Sequence, residues 1–298
     1  MNTNYCDINR ISDAIISAVD ILTEKQNLST IPGIPSGFPS IDKLTQGWKS
    51  GELIVIGGRP GVGKSTLALQ MARNSAVQFE LPSAIFSMQM SSIEATNLLI
   101  SAETGIPPAK IEGEERMSKD DWTHLEASLR KLSMSQLFID DTPGLSPSDI
   151  RERAKHLVKY GHIRSLFIDN LQTMPPDKDL HSSRMAISEI LCSLKETSSA
   201  FRIPIIVLTN VARPERSDYN GPIITDLDEY CPLSTDYADK IFLLNRPGLI
   251  HLDQIDDKLV EIKLVRNKTG KTGSVNLVFN KDYNQLSELS EVLEEENP

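Results

Sequence analysis

The stretch Gly58-Arg59-Pro60-Gly61-Val62-Gly63-Lys64-Ser65 matches the spacing GxxxxGK[ST], and it stands between an apolar run, Leu53 to Ile56, and a helical pattern that begins at Thr66. A strand that ends in such a loop and resumes as a helix turns successive backbone N–H groups around one concavity, with the positive end of the helix aimed into it. That concavity suits a polyphosphate. On this reading residues 58–66 form a nucleoside triphosphate site, in which Lys64 reaches the β- and γ-phosphates and the Ser65 hydroxyl holds Mg²⁺.

Composition leaves room for such a domain. At 298 residues the chain can bury a full core, enough for one large α/β domain with an appendage or for two small ones. Its 39% hydrophobic and 24% charged content is ordinary for a globular protein in water. No apolar run approaches the roughly 18 to 20 residues that span a bilayer. The N-terminus, MNTNYCDINR, lacks the basic flank and apolar core of a signal peptide. Cys6, Cys192 and Cys231 are odd in number and far apart, which argues for a reducing, cytoplasmic setting and against zinc or a disulfide framework. The formal net charge of −10 argues against a generic nucleic-acid-coating protein, which would be basic. Any contact with DNA must therefore come from a few local groups.

Ile8, Ile11, Ile15, Ala18 and Leu22 recur at three- and four-residue steps, with Val19 widening the stripe, so residues 1–27 are expected to carry an amphipathic helix. The prolines and glycines that follow, up to Gly37, read as a linker. The stripe must be buried either on its own domain or on a neighbouring subunit. Beyond the phosphate loop, strand runs at Ala84 to Ser87, Leu137 to Asp140, Leu166 to Ile168 and Ile205 to Leu208 alternate with helical patterns at Ser91 to Glu103, Pro147 to Tyr160 and Ser183 to Phe201. Ser91 and Glu94 have capping-box spacing, and Ser146 stands as a cap. Short, continuously apolar strands between helices predict an α/β fold with a mostly parallel, twisted sheet flanked by helices. Ile241 to Leu244, Val260 to Val265 and Val275 to Phe279 predict a β-rich, antiparallel finish, which makes residues 28–287 one domain and 288–298 an acidic tail.

The run Leu166-Phe167-Ile168 ends at Asp169, a carboxylate at the edge where parallel sheets bind ligands. Beside Ser65, Asp169 would hold Mg²⁺ through water. With both motifs in place, the chain resembles the C-terminal, RecA-like ATPase domain of DnaB-type replicative DNA helicases over nearly its whole length. The segments that carry the resemblance are IPSGFPSIDKLTQGWKSGELIVIGGRPGVGKST (34 to 66), FSMQM (86 to 90), LFIDDTPGLS (137 to 146), LFIDNLQTM (166 to 174), ISEILCSLKETSSAFRIPIIVLT (187 to 209) and VRNKTGKTGSV (265 to 275), in family order. The resemblance implies a RecA-like P-loop fold, ATP and Mg²⁺ as cofactors, DNA unwinding in replication as the activity, and a homo-oligomeric, hexameric ring with nucleotide sites between subunits. It matches residues 1–27 to the family's linker helix, which packs on the adjacent subunit. It finds no counterpart of the family's N-terminal primase-binding domain.

The same comparison brings out departures. Gln89 stands where the family carries a glutamate that prepares the attacking water. An amide holds that water but cannot take its proton, and loss of a general base costs about 10²- to 10⁴-fold. Asp140 and Asp141, also at a strand end, are the acids available to substitute. Thr209-Asn210 stands where the family has a Ser-Gln pair that senses the γ-phosphate, so Asn210 keeps the amide and loses one methylene of reach. Arg266-Asn267-Lys268 falls where the family has Lys first and Arg third, the third reaching into the neighbour's ATP site. The charges persist in exchanged order, and Lys lacks the planar fork of Arg. Asp228, Glu229, Tyr230 and Cys231 occupy the place of an Arg-Glu-Ser-Gly turn that holds single-stranded DNA. The two acids repel a polyanion, and Tyr230 either stacks on a base or packs inward. Lys178, Arg184, Arg213 and Arg216 are scattered among Asp177, Asp179, Glu215 and Asp218, so no basic stripe forms.

The expectation is an ATP-dependent, helicase-like ring ATPase with weakened contact to single-stranded DNA and no membrane association. The alternative is a hydrolysis-poor nucleotide-binding assembly or regulatory protein derived from the same family. Binding and hydrolysis are separate questions, because Gln89 bears on the second alone.

Overall fold

The computed structural model describes residues 31–178, 180, 182–212, 221–228, 230–232, 234–249 and 258–289, together with Ile11. The expected helix between Ile8 and Leu22 lies outside the described residues apart from Ile11, as does most of the expected 288–298 tail, whose first residue, Glu288, instead ends the last strand and accepts from the Ser40 N–H at 2.9 Å. In chain order the strands are β1 Leu53–Gly58, β2 Ser83–Ser87, β3 Leu137–Asp140, β4 Ser165–Asp169, β5 Ile205–Asn210, β6 Lys240–Asn245, β7 Leu259–Asn267, β8 Gly273–Asn280 and β9 Gln285–Glu288. They make one sheet in the order β3-β2-β4-β5-β1-β6-β7-β8-β9. The first six strands of that order are parallel and the last three join antiparallel. The expected α/β architecture and antiparallel finish are both present.

β1 lies between β5 and β6, and each of its six residues is buried. A strand covered on both faces has no polar side to show, which is why Leu53-Ile-Val-Ile56 reads as continuous rather than alternating. Its side chains still alternate between two cores. Ile54 and Ile56 pack with Phe167, Ile206, Leu208 and Phe242 under Leu67 and Met71 of α2 (Lys64–Arg73), preceded in the chain by α1 (Pro39–Thr45). Leu53 and Val55 join Leu166, Ile168, Ile205 and Val207 on the other face. That face is covered by helices introduced below.

The helices follow local signals. α3 (Ser92–Thr104) starts in a capping box between Ser91 and Glu94 and stops at Gly105 in the left-handed region. After the short α4 (Pro108–Ile111), α5 (Lys119–Ser133) starts in a second box between Ser118 and Asp121. α6 (Pro147–Tyr160) has Ser146 as its cap, paired with Asp149. α7 (Ser183–Phe201) sets Ile190, Leu191 and Leu194 on the second core, beside Ile150 and Ala154 of α6. A last short helix, α8, spans Ser234–Tyr237. Each Ser cap satisfies an N–H that the first turn leaves open and is worth about 1 kcal/mol.

α1 and α5 have no counterpart in the sequence reading. α1 forms because Pro39 suits a first helical turn and the Asp42 carboxylate accepts from the Ser36 and Gly37 N–H groups, at 2.8 and 3.2 Å. Below the sheet, Lys240 at the start of β6 is fully buried in an ion pair with Glu52, just before β1. Among the described residues no helix is long and apolar enough to cross a membrane.

Candidate nucleotide-binding site

β1 delivers the chain to the carboxyl edge of the sheet at Gly58, and α2 carries it away from Lys64. Between them Gly63, the N-cap of α2, has φ 100 and ψ 19, a conformation that excludes most residues with a Cβ. Pro60 and Gly61 stand exposed on the crest of the loop, and Arg59 is half-buried below them. Val62 is buried, its N–H on the Arg59 carbonyl at 3.4 Å. The Lys64 ammonium spans the loop, donating to the carbonyls of Gly58 at 2.7 Å and Arg59 at 3.0 Å. Only 7% of Lys64 is exposed. Burial lowers its pKa to about 8, against the pull of the Asp169 charge. Thr66 turns its hydroxyl away from the loop, to the Asn284 side chain at 3.1 Å. Of the residues 58–66 it therefore contributes through its backbone at the helix start.

Asp169 ends β4, which lies one strand from β1 with β5 between them. Its carbonyl accepts from the Met88 N–H at 2.9 Å, extending the Ser87–Asp169 register beyond β2. Its carboxylate is 4% exposed and accepts from the Ser65 hydroxyl. Burial raises its pKa, while the Ser65 bond and the Lys64 charge act the other way. Lys64 and Ser65 of α2 thus meet Asp169 of β4 in one place. A hydroxyl and a carboxylate are hard oxygen donors of the kind that hold Mg²⁺ beside phosphate oxygens, so the residues fit that ion.

Gln89 lies exposed on the bend directly after β2, two residues beyond the Ser87 that pairs with Asp169. Asn210 ends β5 and is in register with Gly58, the first residue of the loop. Asp140 and Asp141 stand at the carboxyl end of β3, beside the end of β2 that leads to Gln89. Asp140 ends β3, the edge strand, and is held by Arg153, while Asp141 just beyond it accepts from the Ser92 N–H at 2.8 Å.

Arg266 and Lys268 lie at the opposite end of the sheet, because Asn267 pairs with Lys240 at the start of β6. Arg266 donates to the Ala238 carbonyl at 3.3 Å, and Lys268 to Asp239 at 3.1 Å. The Asp228 to Cys231 segment returns to the carboxyl edge. Asp228 is exposed and Tyr230 half-buried, while Glu229 lies outside the described residues. Cys231 is fully buried on Thr209, and burial pushes its thiol up to about 12. Its side chain belongs to the core, which corrects its assignment as a DNA contact. Lys178 and Arg184 are exposed, and Arg213 and Arg216 fall outside the described residues.

One further residue meets the same edge. Gln172 follows Asp169 in a 3₁₀ turn, Leu171–Thr173, whose cap is the Asn170 side chain accepting from the Gln172 N–H at 3.0 Å. Its amide hydrogen-bonds the Asn210 N–H, the Thr209 hydroxyl and the Tyr230 carbonyl. Nothing in Leu171-Gln-Thr173 marks that role, because its partners are remote in sequence.

A parallel sheet with a phosphate loop at the tip of β1 and an acid at the tip of β4 defines a P-loop protein with the RecA-like ATPase fold. Residues 33–288 match the family described as the DnaB-like helicase C terminal domain, and the chain belongs to it. Among curated relatives, a probable replicative DNA helicase of Trieres chinensis is 32% identical over 91% of this chain and 62% of its own length. The replicative DNA helicase DnaB of Geobacillus stearothermophilus is 30% identical over 96% of this chain and 63% of its own. That of Leifsonia xyli subsp. xyli is 29% identical over 95% of this chain and 62% of its own. The chain thus spans less than two thirds of these relatives. A solved ATPase domain superposes with a TM-score of 0.87 at 28% identity, covering 95% of this chain and 100% of that one. A DnaB-like replicative helicase, solved in a study of its interactions with primase, gives 0.84 at 28% identity over 95% of this chain and 68% of its own.

Proposed function

We propose that the chain is a ring-forming ATPase that binds ATP with Mg²⁺ and acts on single-stranded DNA, a reading consistent with relatives that are named replicative DNA helicases. The observation that carries this reading is the convergence of Lys64 and Ser65 with Asp169, at the edge where an α/β sheet holds its ligands. Backbone N–H groups of residues 58–66 cradle the phosphates, and Lys64 exchanges its own loop carbonyls for phosphate oxygens. Ser65 and Asp169 hold Mg²⁺, which when bound neutralises charge on the β- and γ-oxygens. Gln89 orients the attacking water without accepting its proton, so turnover is slow. Asn210 senses the γ-phosphate. Lys268, assisted by Arg266, reaches the nucleotide of a neighbouring subunit in a hexameric ring in the cytoplasm.

Isothermal titration with ATPγS and Mg²⁺ tests the site. Turnover with and without a single-stranded oligonucleotide at low salt, and separation of a forked duplex, test the activity. Micromolar uptake of nucleotide that Lys64→Ala abolishes, together with DNA-stimulated turnover, is expected. No nucleotide uptake, or no strand binding at low ionic strength, refutes the reading.

A further inference from the structure

Gln172 places all of its amide chemistry on one junction. Its Oε1 accepts from the Asn210 N–H at 3.1 Å, and its Nε2 donates to the Thr209 hydroxyl at 2.8 Å and to the Tyr230 carbonyl at 3.0 Å. One amide therefore uses both of its donors and its acceptor on two separate segments. The Tyr230 segment has a second seat. Leu227 is fully buried against Gly57, where an added Cβ would lie 2.6 Å from the Leu227 Cδ2. Tyr230 and Cys231 then fold back on Leu227, whose carbonyl accepts from both of their N–H groups, at 3.0 and 2.6 Å. The segment is thus fixed to β1 at Leu227 and to the tip of β5, through Gln172, at Tyr230.

We propose that Gln172 is a positioning residue that links the Thr209–Asn210 tip to the Tyr230 segment, so that nucleotide at the phosphate loop resets that segment through one side-chain amide. The proposal rests on the nucleotide site proposed above. Asn210 is in register with Gly58, so a triphosphate seated on the loop lies beside the tip that Gln172 grips. A shift of Asn210 toward the phosphate draws on the same amide that holds the Tyr230 carbonyl. Among the described residues its other hydrogen bonds are internal or lie on its Leu227 side, apart from the one between the Cys231 thiol and Thr209, which both Gln172 variants leave in place. Coupling of this kind is a free energy shared by two sites and is measured as such.

Amide exchange at Tyr230 and Cys231 reports the state of the segment, because both N–H groups are hydrogen-bonded to Leu227. It is to be read with and without ATPγS and Mg²⁺ in the full chain, in Gln172→Leu and in Gln172→Glu. Leucine removes donors and acceptor alike, whereas glutamate keeps the acceptor for Asn210 and loses the donors to Thr209 and Tyr230. In the parent, nucleotide is expected to change exchange at these amides by about fivefold or more. In both variants that response is expected to vanish, while the calorimetric Kd for ATPγS stays within about twofold. Should the leucine variant fail to fold, the nearly isosteric glutamate decides. A variant that responds to nucleotide as the parent does overturns the proposal and leaves the nucleotide site standing, and so does a parent whose segment ignores bound nucleotide. A parent that takes up no nucleotide overturns the functional reading and this inference together.

Discussion

The Lys268 ammonium lies 3.1 Å from the Asp239 carboxylate of its own chain, at the end of the sheet opposite the phosphate loop. Asp239 also accepts from Lys195 at 2.6 Å and from the Leu53 N–H at 2.8 Å, directly at the start of β1. Burial works against its charge, but these donors hold its carboxyl below the usual range. A rise of about 3.3 Å per residue separates the two ends of β1 by roughly 17 Å, more than a lysine side chain crosses. Lys268 therefore cannot reach the proposed nucleotide of its own chain, and its proposed role in hydrolysis requires a second subunit.

That geometry predicts complementation. Lys268→Ala alone is expected to lower turnover by about tenfold or more, less than the 10³ to 10⁵ of an arginine finger because the planar fork is missing. Lys64→Ala alone is expected to lose nucleotide binding. Mixed in equal amounts before assembly, the two variants should regain turnover above either one, because an intact loop then faces an intact Lys268 at some interfaces. A mixture no more active than its parts rejects the cross-subunit role.

Gln89 sets the second prediction. Ser87 at the end of β2 is in register with Asp169, so position 89 lies two residues beyond that pair, on the bend that follows. Gln89→Glu adds the missing base without changing length, and kcat is expected to rise by about 10² or more. The Kd for ATPγS should stay within about threefold, since the side chain acts on water and not on phosphate. Single-turnover measurements separate the two. An unchanged rate would mean that the defect extends beyond this residue.

Lys64 makes nucleotide affinity dependent on pH. In the free protein its pKa is lowered to about 8 by burial, and phosphate charge raises it again in the complex. The complex therefore binds more protons than the free protein above about pH 8, so affinity falls as pH rises through that range, by up to about tenfold per unit. On the acid side the sign reverses. Burial raises Asp169, so Mg²⁺ must displace a proton there, and affinity falls as pH drops through the carboxylate range. Calorimetry in buffers of different ionisation enthalpy counts the protons taken up near pH 8.5. Affinity that is flat between pH 7 and 9 contradicts this account.

Features with strong local chemistry could be read from the residues in order. The spans of α6 and α7, the caps at Ser91 and Ser146, and five of the six parallel strands were accessible because caps and continuous apolar runs are written within a few residues. β6, expected with the antiparallel finish, instead pairs parallel with β1 on one side and antiparallel with β7 on the other. α5 escaped because its covered face is only partly apolar, with Leu125 and Leu132 half-buried on either side of Ser128. Trp122 is 55% and Leu129 42% exposed, and Ser128 is the buried residue of that helix. Gln172 escaped for a different reason. It binds groups 37 to 58 residues away, which meet it only because crossovers set β4 beside β5 and β5 beside β1. The buried Lys240–Glu52 pair joins residues 188 apart and was hidden in the same way. The inward side chain of Cys231 was hidden because, three residues after the exposed Asp228, nothing in the local sequence marks which way it points.

Gly57 gives a prediction about stability that does not depend on any ligand. It is the residue before the loop, and an added Cβ would fall 2.6 Å from the Leu227 Cδ2, 3.0 Å from the Val211 Cγ2 and 3.1 Å from the Leu243 Cδ2. All three neighbours are buried, so none can swing into solvent. Gly57→Ala is expected to destabilise by about 1 to 3 kcal/mol through overpacking. Leu227→Ala is expected to cost about 2 to 5 kcal/mol through the cavity it leaves. In the double variant the methyl occupies space the leucine vacated, so the combined loss should be smaller than the sum by about 1 kcal/mol or more. Urea unfolding of the four proteins measures this directly. Strict additivity would show that Leu227 does not press on Gly57, and would remove the seat that fixes the Tyr230 segment to β1.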